Sequence, residues 1–447
     1  MAIYFRFAIM ALRNLKSYWR QSLAAIISVV AGFMAFVIFE GYLQNIYKVY
    51  KDFNTHLEMY GDLIIEKKGA FELEGRAEPW DYALTEAEQN IIHTIFEKLS
   101  LQIETYSRFL QITGSLDTSN SSATFQGIAY DVQNAAILRG PWKWDTYWGK
   151  PLQESVNADN QMILGLRLAK KIGCLPDQIP NLKKYSIDLF KRPQFRPFLC
   201  ENEDFQISAM TESGQINAFD LSVSGIQDKG FIDRDSRYMV LSLPTAQKLF
   251  NTKKVSYYSL KLKAGINQKS FIIDFRSLLK NIESTPSIEI IPWETHFFGV
   301  LYQKTLSLLN VIRNFLISII VFVGSMSVFN TLVKLVKERT PEIGMLRSLG
   351  FLPQQIQGLF YLESLFLSWM GCLIGSVIAL ILSLILNQLE ITYPSGQFST
   401  ETEFIIKISA SSYIYGFLLM TLISLLACRI AIKKPSKEII SNLLIHI

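Results

Sequence analysis

Residues 23–43, 311–333, 364–386 and 413–431 are four apolar runs, each near the length of about 20 residues that a helix needs to cross a bilayer. A hydrocarbon core offers no water to unpaired backbone groups, so such runs close their hydrogen bonds within helices. Composition agrees with a mixed architecture. Of 447 residues 49% are hydrophobic and the mean hydropathy is +0.21, too apolar for an ordinary soluble protein, while 19% charged residues are too many for an all-membrane chain. Between the first and second runs lies a long stretch, 44–300. Within it residues 62–66 and 221–226 alternate as strands do, and residues 85–99 repeat at helical spacing. The predicted fold is an α-helical membrane protein with four transmembrane helices and a large α+β extracytoplasmic domain, of two subdomains, inserted between helices 1 and 2. The first run is longer than a signal-peptide core and no small-residue cleavage site follows it, so it reads as an uncleaved span.

The net charge of +5 does not point to nucleic acid, because the basic residues gather beside the apolar runs rather than along a stripe. Arg6, Arg13, Lys16 and Arg20 precede the first run; Lys334, Lys337, Arg339 and Arg347 follow the second; Arg429, Lys433, Lys434 and Lys437 follow the fourth. The loop between runs three and four has no base and carries Glu390, Glu401 and Glu403. Basic loops stay in the cytoplasm, so both termini are expected inside and the insert outside. The expected organisation is a cytoplasmic amphipathic helix (1–22), a first span (23–43), the outer domain (44–300), and a stalk with the second span (301–337). A cytoplasmic coupling region (338–362), a third span (363–387), a short outer loop (388–408), a fourth span (409–431) and a cytoplasmic tail (432–447) complete it. In the first of these, Phe5, Ile9, Leu12 and Leu15 oppose the four bases. Residues 297–339 contain no proline, so one uninterrupted helix of about 60 Å is expected, with Lys304 and Arg313 near the interface; Gly324 leaves a bend open.

The segment VKLVKERTPEIGMLRSLGFLPQQIQGLFYLE, residues 333–363, sets charged helix formers between two spans. Ile343, Leu346, Leu349 and Phe351 fall near helical spacing, and Thr340 followed by Pro341 reads as an N-cap with proline at the first helical position. The segment resembles the coupling element of MacB/FtsX-type ABC permeases in Arg339, Glu342, Ile343, Gly344, Leu346, Arg347, Ser348, Leu349 and Gly350, then Glu363. Residues 11–15 (ALRNL), the phrases at 162–173, 216–227 and 238–251, and Pro435, Ser436, Lys437, Glu438 and Ile439 also resemble that family, with Ile439 in place of its usual alanine. YGDLIIEKKGAF, residues 60–71, is closest to the lipoprotein-releasing LolC/LolE type. The resemblance implies a type VII ABC permease-like fold that works by mechanotransmission. No G-x-x-x-x-G-K-[ST] occurs, so ATP and Mg would be bound by a separate ATPase. The implied partners are a cytoplasmic ABC ATPase dimer, a second permease subunit, identical or paralogous, a periplasmic lipoprotein carrier or adaptor, and membrane lipid. The ATPase would dock on Arg339, Thr340, Pro341, Glu342, Ile343, Gly344, Met345, Leu346, Arg347, Leu349 and Gly350.

In the membrane runs, Val29, Phe33, Phe36, Phe39 and the lone carboxylate Glu40 are candidates to line a cargo cavity, with lipid-facing packing as the alternative. Ser28 with Gly32, Ala31 with Ala35, and Gly371 with Gly375 sit at four-residue spacing for close helix packing, inside one subunit or between two. In the insert, Cys174 and Cys200 border a proline-rich stretch, 175–204, with Pro176, Pro180, Pro193 and Pro197; an oxidising compartment allows them a disulfide. Cys372 and Cys428 read as small apolar residues. His56, His93, His296 and His446 lack metal spacing, and no catalytic set is visible, so neither metal site nor enzyme is expected. The function implied is extraction of lipoprotein or lipid-like cargo from a bacterial inner membrane. The rivals are MacB-like tripartite efflux of peptides or small molecules, FtsX-like regulation of cell-wall hydrolases and, last, a membrane enzyme.

Overall fold

The computed structural model describes residues 10–11, 13–14, 17–140, 146, 148–152, 158–176, 197–202, 204–228, 232–282, 287–394, 401–433 and 435–437. Phe5, Arg6, Ile9, Leu12, Leu15, Lys16, Lys434, Glu438, Ile439 and His446, singled out above, lie outside these, as do residues 177–196 of the proline-rich stretch. Two compact units emerge, one of residues 1–47, 307–391 and 404–447, the other of residues 48–306 and 392–403.

Among the described residues four helices are long and apolar enough to cross a membrane. They run Trp19–Asp52, Gly299–Glu338, Pro353–Gln388 and Ala410–Lys433. The second is unbroken over 40 residues, about 60 Å, with no kink assigned at Gly324. In the first unit, Val29, Phe33 and Phe36 of the first long helix are 2%, 0% and 7% exposed and share a core with Cys372, Ala379, Met420 and Ala427 of the third and fourth. Glycines permit this approach. A Cβ on Gly371 would stand 2.7 Å from Val29 Cγ1, so the backbones meet where no side chain intervenes. Gly32 faces Met420 and, at 3.8 Å, the Cα of Gly324, and Gly375 faces Phe33, so these glycines pack within one chain, whereas Ala31 and Ala35 are exposed.

Ten strands of the second unit form one sheet: β1 (Leu63–Lys67), β2 (Ile103–Asp117), β3 (Ser122–Tyr130), β4 (Trp148–Gly149) and β5 (Gln161–Gly165), then β8 (Phe205–Met210), β9 (Ile216–Gln227), β10 (Met239–Ser242), β11 (Tyr257–Leu262) and β12 (Ile288–Pro292). Their spatial order is β12–β1–β11–β2–β3–β10–β5–β9–β4, with β8 pairing β2 and β9. β10 runs parallel to β3 and β5 to β9; the other pairs are antiparallel. One continuous sheet thus stands where two subdomains are expected from sequence. The run Leu63–Ile64–Ile65 explains its layering, since a strand covered on both faces has no polar alternation. Leu63 and Ile65 pack under helices Glu86–Lys98 and Gln268–Lys280 with Phe96, Phe271 and Phe275, while Ile64 joins Phe109, Tyr257 and Trp293 on the other face. Helix Glu86–Lys98 starts where Thr85 caps the Glu88 amide at 3.3 Å and Glu88 accepts from the Thr85 amide at 2.8 Å, a capping box. β6 (Cys174–Pro176) and β7 (Phe198–Cys200) pair antiparallel with Cys174 opposite Cys200, and the two are joined by a disulfide. Short strands β13 (Thr392–Pro394) and β14 (Glu401–Glu403) pair with each other.

Candidate functional site

Pro341 lacks an N–H and its ring excludes the carbonyl four residues back, so the second long helix stops at Glu338 and a short helix, Thr340–Ser348, begins after Arg339. Arg339 is therefore held at a corner, and its side chain turns inward, 4% exposed. Its Nε donates to Glu342 Oε2 at 2.9 Å and its Nη1 to Glu363 Oε2 at 2.5 Å. The guanidinium lies between two rings, 5.0 Å from the centroid of Tyr18 and 4.9 Å from that of Phe360. Each carboxylate is engaged a second time by the N-terminal segment: Asn14 Nδ2 donates to Glu363 Oε1 at 2.7 Å, and the Tyr18 hydroxyl donates to Glu342 Oε1. That bond, with burial behind it, raises the Tyr18 pKa. Arg is the residue for such a place, since its planar fork bridges two acids and stacks on rings at once.

The hub fixes which residues of the coupling segment can meet a partner. Arg339, Ile343 and Gly344 are buried, Glu342 is engaged, and Pro341, Leu346 and Arg347 are half-covered. Arg347 donates to the Ser436 carbonyl at 2.9 Å and Gln357 to the Ser436 hydroxyl at 2.8 Å, which ties the tail to the same end. What faces outward is an apolar tip of Met345, 55% exposed, Leu349, 70%, and Leu352, 60%, with Ser348 and Gly350 between. Thr340 is not the N-cap expected from sequence. Arg339 occupies that position, and Thr340, already in the helix, donates its hydroxyl back to the Val336 carbonyl at 3.3 Å. Asn14, Tyr18, Phe360 and Leu352 are residues that sequence reasoning did not single out, although Asn14 lies inside the ALRNL phrase and Leu352 and Phe360 inside the segment 333–363.

Of the proposed cargo-lining set, Val29, Phe33 and Phe36 are core residues of the bundle, and Phe39 is half-buried. Glu40, 8% exposed, accepts from Arg313 Nε at 3.0 Å and Nη2 at 2.8 Å, a two-pronged pair between the first and second long helices. A paired charge is how an apolar span tolerates a carboxylate. Ser28 accepts from Ser327 at 3.0 Å across the same two helices.

In the other unit Arg108 grips Asp131 with two bonds, 2.8 and 2.9 Å, which raises the arginine's pKa, and His93 bridges the hydroxyls of Tyr106 and Tyr258 at 3.2 and 3.3 Å with its pKa lowered by burial. Among the described residues no cluster of metal-ligating side chains occurs.

Residues 314–438 match the family of FtsX-like permease C-terminal domains. A stretch of 69 residues is 36% identical to the ABC transporter permease YtrF of Bacillus subtilis, covering 15% of this chain and 16% of that one. A longer stretch of 258 residues is 25% identical to the pyoverdine export ATP-binding/permease protein PvdT of Pseudomonas syringae, covering 56% of this chain and 34% of that one. The chain thus spans less than half the length of the curated relatives it matches. The periplasmic region of MacB from Actinobacillus actinomycetemcomitans aligns with 55% of this chain and 92% of its own at 12% identity and a TM-score of 0.33, too loose to support a shared architecture.

Proposed function

Since residues 314–438 are an FtsX-like permease domain, we propose that the chain is the permease subunit of an ABC transporter, resident in a bacterial inner membrane with both termini cytoplasmic. A separate ATPase dimer binds ATP and Mg and docks on the tip of Met345, Leu349 and Leu352. Those residues support the reading because large apolar side chains, 55% to 70% exposed on a short helix and the turn that follows it, between two candidate spans, are what a partner covers. The ATPase docking set expected from sequence narrows accordingly. Its exposed members make the contact, and Arg339, Glu342, Ile343 and Gly344 hold them in place.

ATP-driven closure of the ATPases then moves the short helix, the 40-residue second helix carries that motion as a rod, and the outer domain grips or releases cargo. The phrase at residues 60–71 favours lipoprotein or another acylated cargo drawn from the membrane. A second permease subunit fits the exposed Phe315, Phe322 and Val323 of the second long helix, which otherwise face lipid. The likeness to a pyoverdine export protein supports a second reading, in which the same motions expel a small molecule through an adaptor.

Native mass spectrometry of the protein, extracted from its own membrane in mild detergent, tests these readings. An ATPase recovered with an acylated protein supports lipoprotein release, and an ATPase with an adaptor supports efflux. No ATPase, under conditions that preserve a known permease complex, sinks the transporter reading.

A further inference from the structure

Among the described residues the charges around Arg339 do not balance. Two carboxylates, Glu342 and Glu363, face one guanidinium, and the remaining carboxylate oxygens are met by two neutral donors, Asn14 and Tyr18. A buried anion left short of donors is costly, and Glu363 is 2% exposed while Glu342 is partly open, so the Glu363 side of this arrangement is complete only when Asn14 is in place. Asn14 and Tyr18 stand four residues apart on one helical turn, with the Tyr18 amide donating to the Asn14 carbonyl at 3.0 Å, so one face of a single turn presents both donors together. The path closes into a ring running Asn14, Glu363, Arg339, Glu342, Tyr18 and back along the helix.

We infer that the N-terminal segment is a strap that completes the coupling element: Asn14 and Tyr18 are positioning residues that lock the short helix Thr340–Ser348 to the third long helix, so that a push on the tip moves the bundle. Without the strap, Glu342 and Glu363 each lose one donor, and the short helix is left to Arg339, the buried Ile343 and the Arg347–Ser436 bond, a looser hold. The tip still binds a partner, but its displacement is lost before it reaches the spans. The geometry of the strap stands on the ring alone; its part in coupling rests on the permease reading above.

The test uses the full chain in lipid nanodiscs with Asn14→Leu and Tyr18→Phe combined, which removes both donors at nearly constant volume. Spin labels at the exposed positions of Ser17 and Met345 report the strap directly, and the remaining free cysteines, Cys372 and Cys428, are buried. A narrow distance distribution in the parent that broadens in the double variant is the expected result. An unchanged distribution overturns the strap, whatever any ATPase does. The second arm adds the ATPase that co-purifies with the parent chain. Retained binding with the permease-dependent change in its hydrolysis rate reduced at least about fivefold supports the coupling role, and an unchanged rate overturns it. Arg339→Lys separates positioning from bulk structure: a lysine keeps the charge but not the fork, so broadening with the ATPase still bound is expected, and wild-type behaviour would overturn the ring. Failure of the parent to recover an ATPase strikes the permease reading, while the distance arm still decides the strap.

Discussion

At the scale of single residues, burial decides what a charged group can do. Glu66 and His296 of the unit that holds the large sheet are each 3% exposed and lie 2.8 Å apart. The Phe298 amide donates to His296 Nδ1 at 3.2 Å, so Nε2 carries the proton and donates to Glu66. Burial raises the Glu66 pKa, with the His296 bond opposing and Glu289 and Glu72 adding to the rise. Between the unfolded carboxyl value, about 4.3, and the raised folded one, the native state holds more protons than the unfolded chain, so stability falls as pH rises through that window. Glu66→Gln keeps an acceptor for His296 and removes the ionisation. Thermal unfolding across the window should decline with pH in the parent and stay flat in the variant; parallel curves would contradict this. At the hub, Arg339→Ala strands the buried carboxylate of Glu363, and the membrane unit should lose about 3–5 kcal/mol in detergent unfolding, whereas a loss under about 1 would mean the Arg339–Glu363 pair is wet. Arg339 was legible as part of a motif but not as an inward residue. Its partners at 14, 18, 342 and 363 lie far apart along the chain, and a basic residue in a cytoplasmic segment reads by default as a solvated face.

At the scale of elements, the helices were the most legible part, because an apolar run with no polar break has one stable form in a bilayer. The strands at 62–66 and 221–226 and the helix at 85–99 fall within β1, β9 and Glu86–Lys98 to within a residue or two, since pattern and capping box point the same way. What each element packs against was not legible. Four-residue spacing marked Gly371 as an approach point without naming Val29, and it said nothing of Gly358 in the same helix. The structure separates them. A Cβ at Gly371 meets Val29 at 2.7 Å, while one at Gly358 meets nothing within 4 Å. Gly371→Ala should therefore destabilise the membrane unit by about 1–3 kcal/mol through overpacking. Gly358→Ala should stabilise it by about 0.5–1 kcal/mol through lost backbone freedom in the unfolded chain. Unfolding midpoints of the two variants moving in the same direction would show that the third helix does not pack as described.

At the scale of the whole molecule, the cores are separate: Val29, Phe33, Cys372 and Met420 belong to one, and Leu63, Phe109, Phe271 and Trp293 to those of the sheet-bearing unit. Composition foresaw this division, because residues 44–300 have no run that a membrane would accept; the single continuous sheet was hidden, because pairings such as β1 with β12 join strands more than 200 residues apart. Separate cores imply separate cooperativity. The disulfide offers a local probe, since Cys174 and Cys200, 26 residues apart, lie wholly within the sheet-bearing unit. Replacing both by serine frees a closed loop in the unfolded chain and should cost that unit about 2–4 kcal/mol. Calorimetry of the full chain in nanodiscs should then show one transition moving down while the other, the one lowered by Gly371→Ala, holds its place. If both move together in both variants, the chain unfolds as one body, and the motion proposed to pass from tip to outer domain would have to travel through a core shared by the two units rather than along the second long helix.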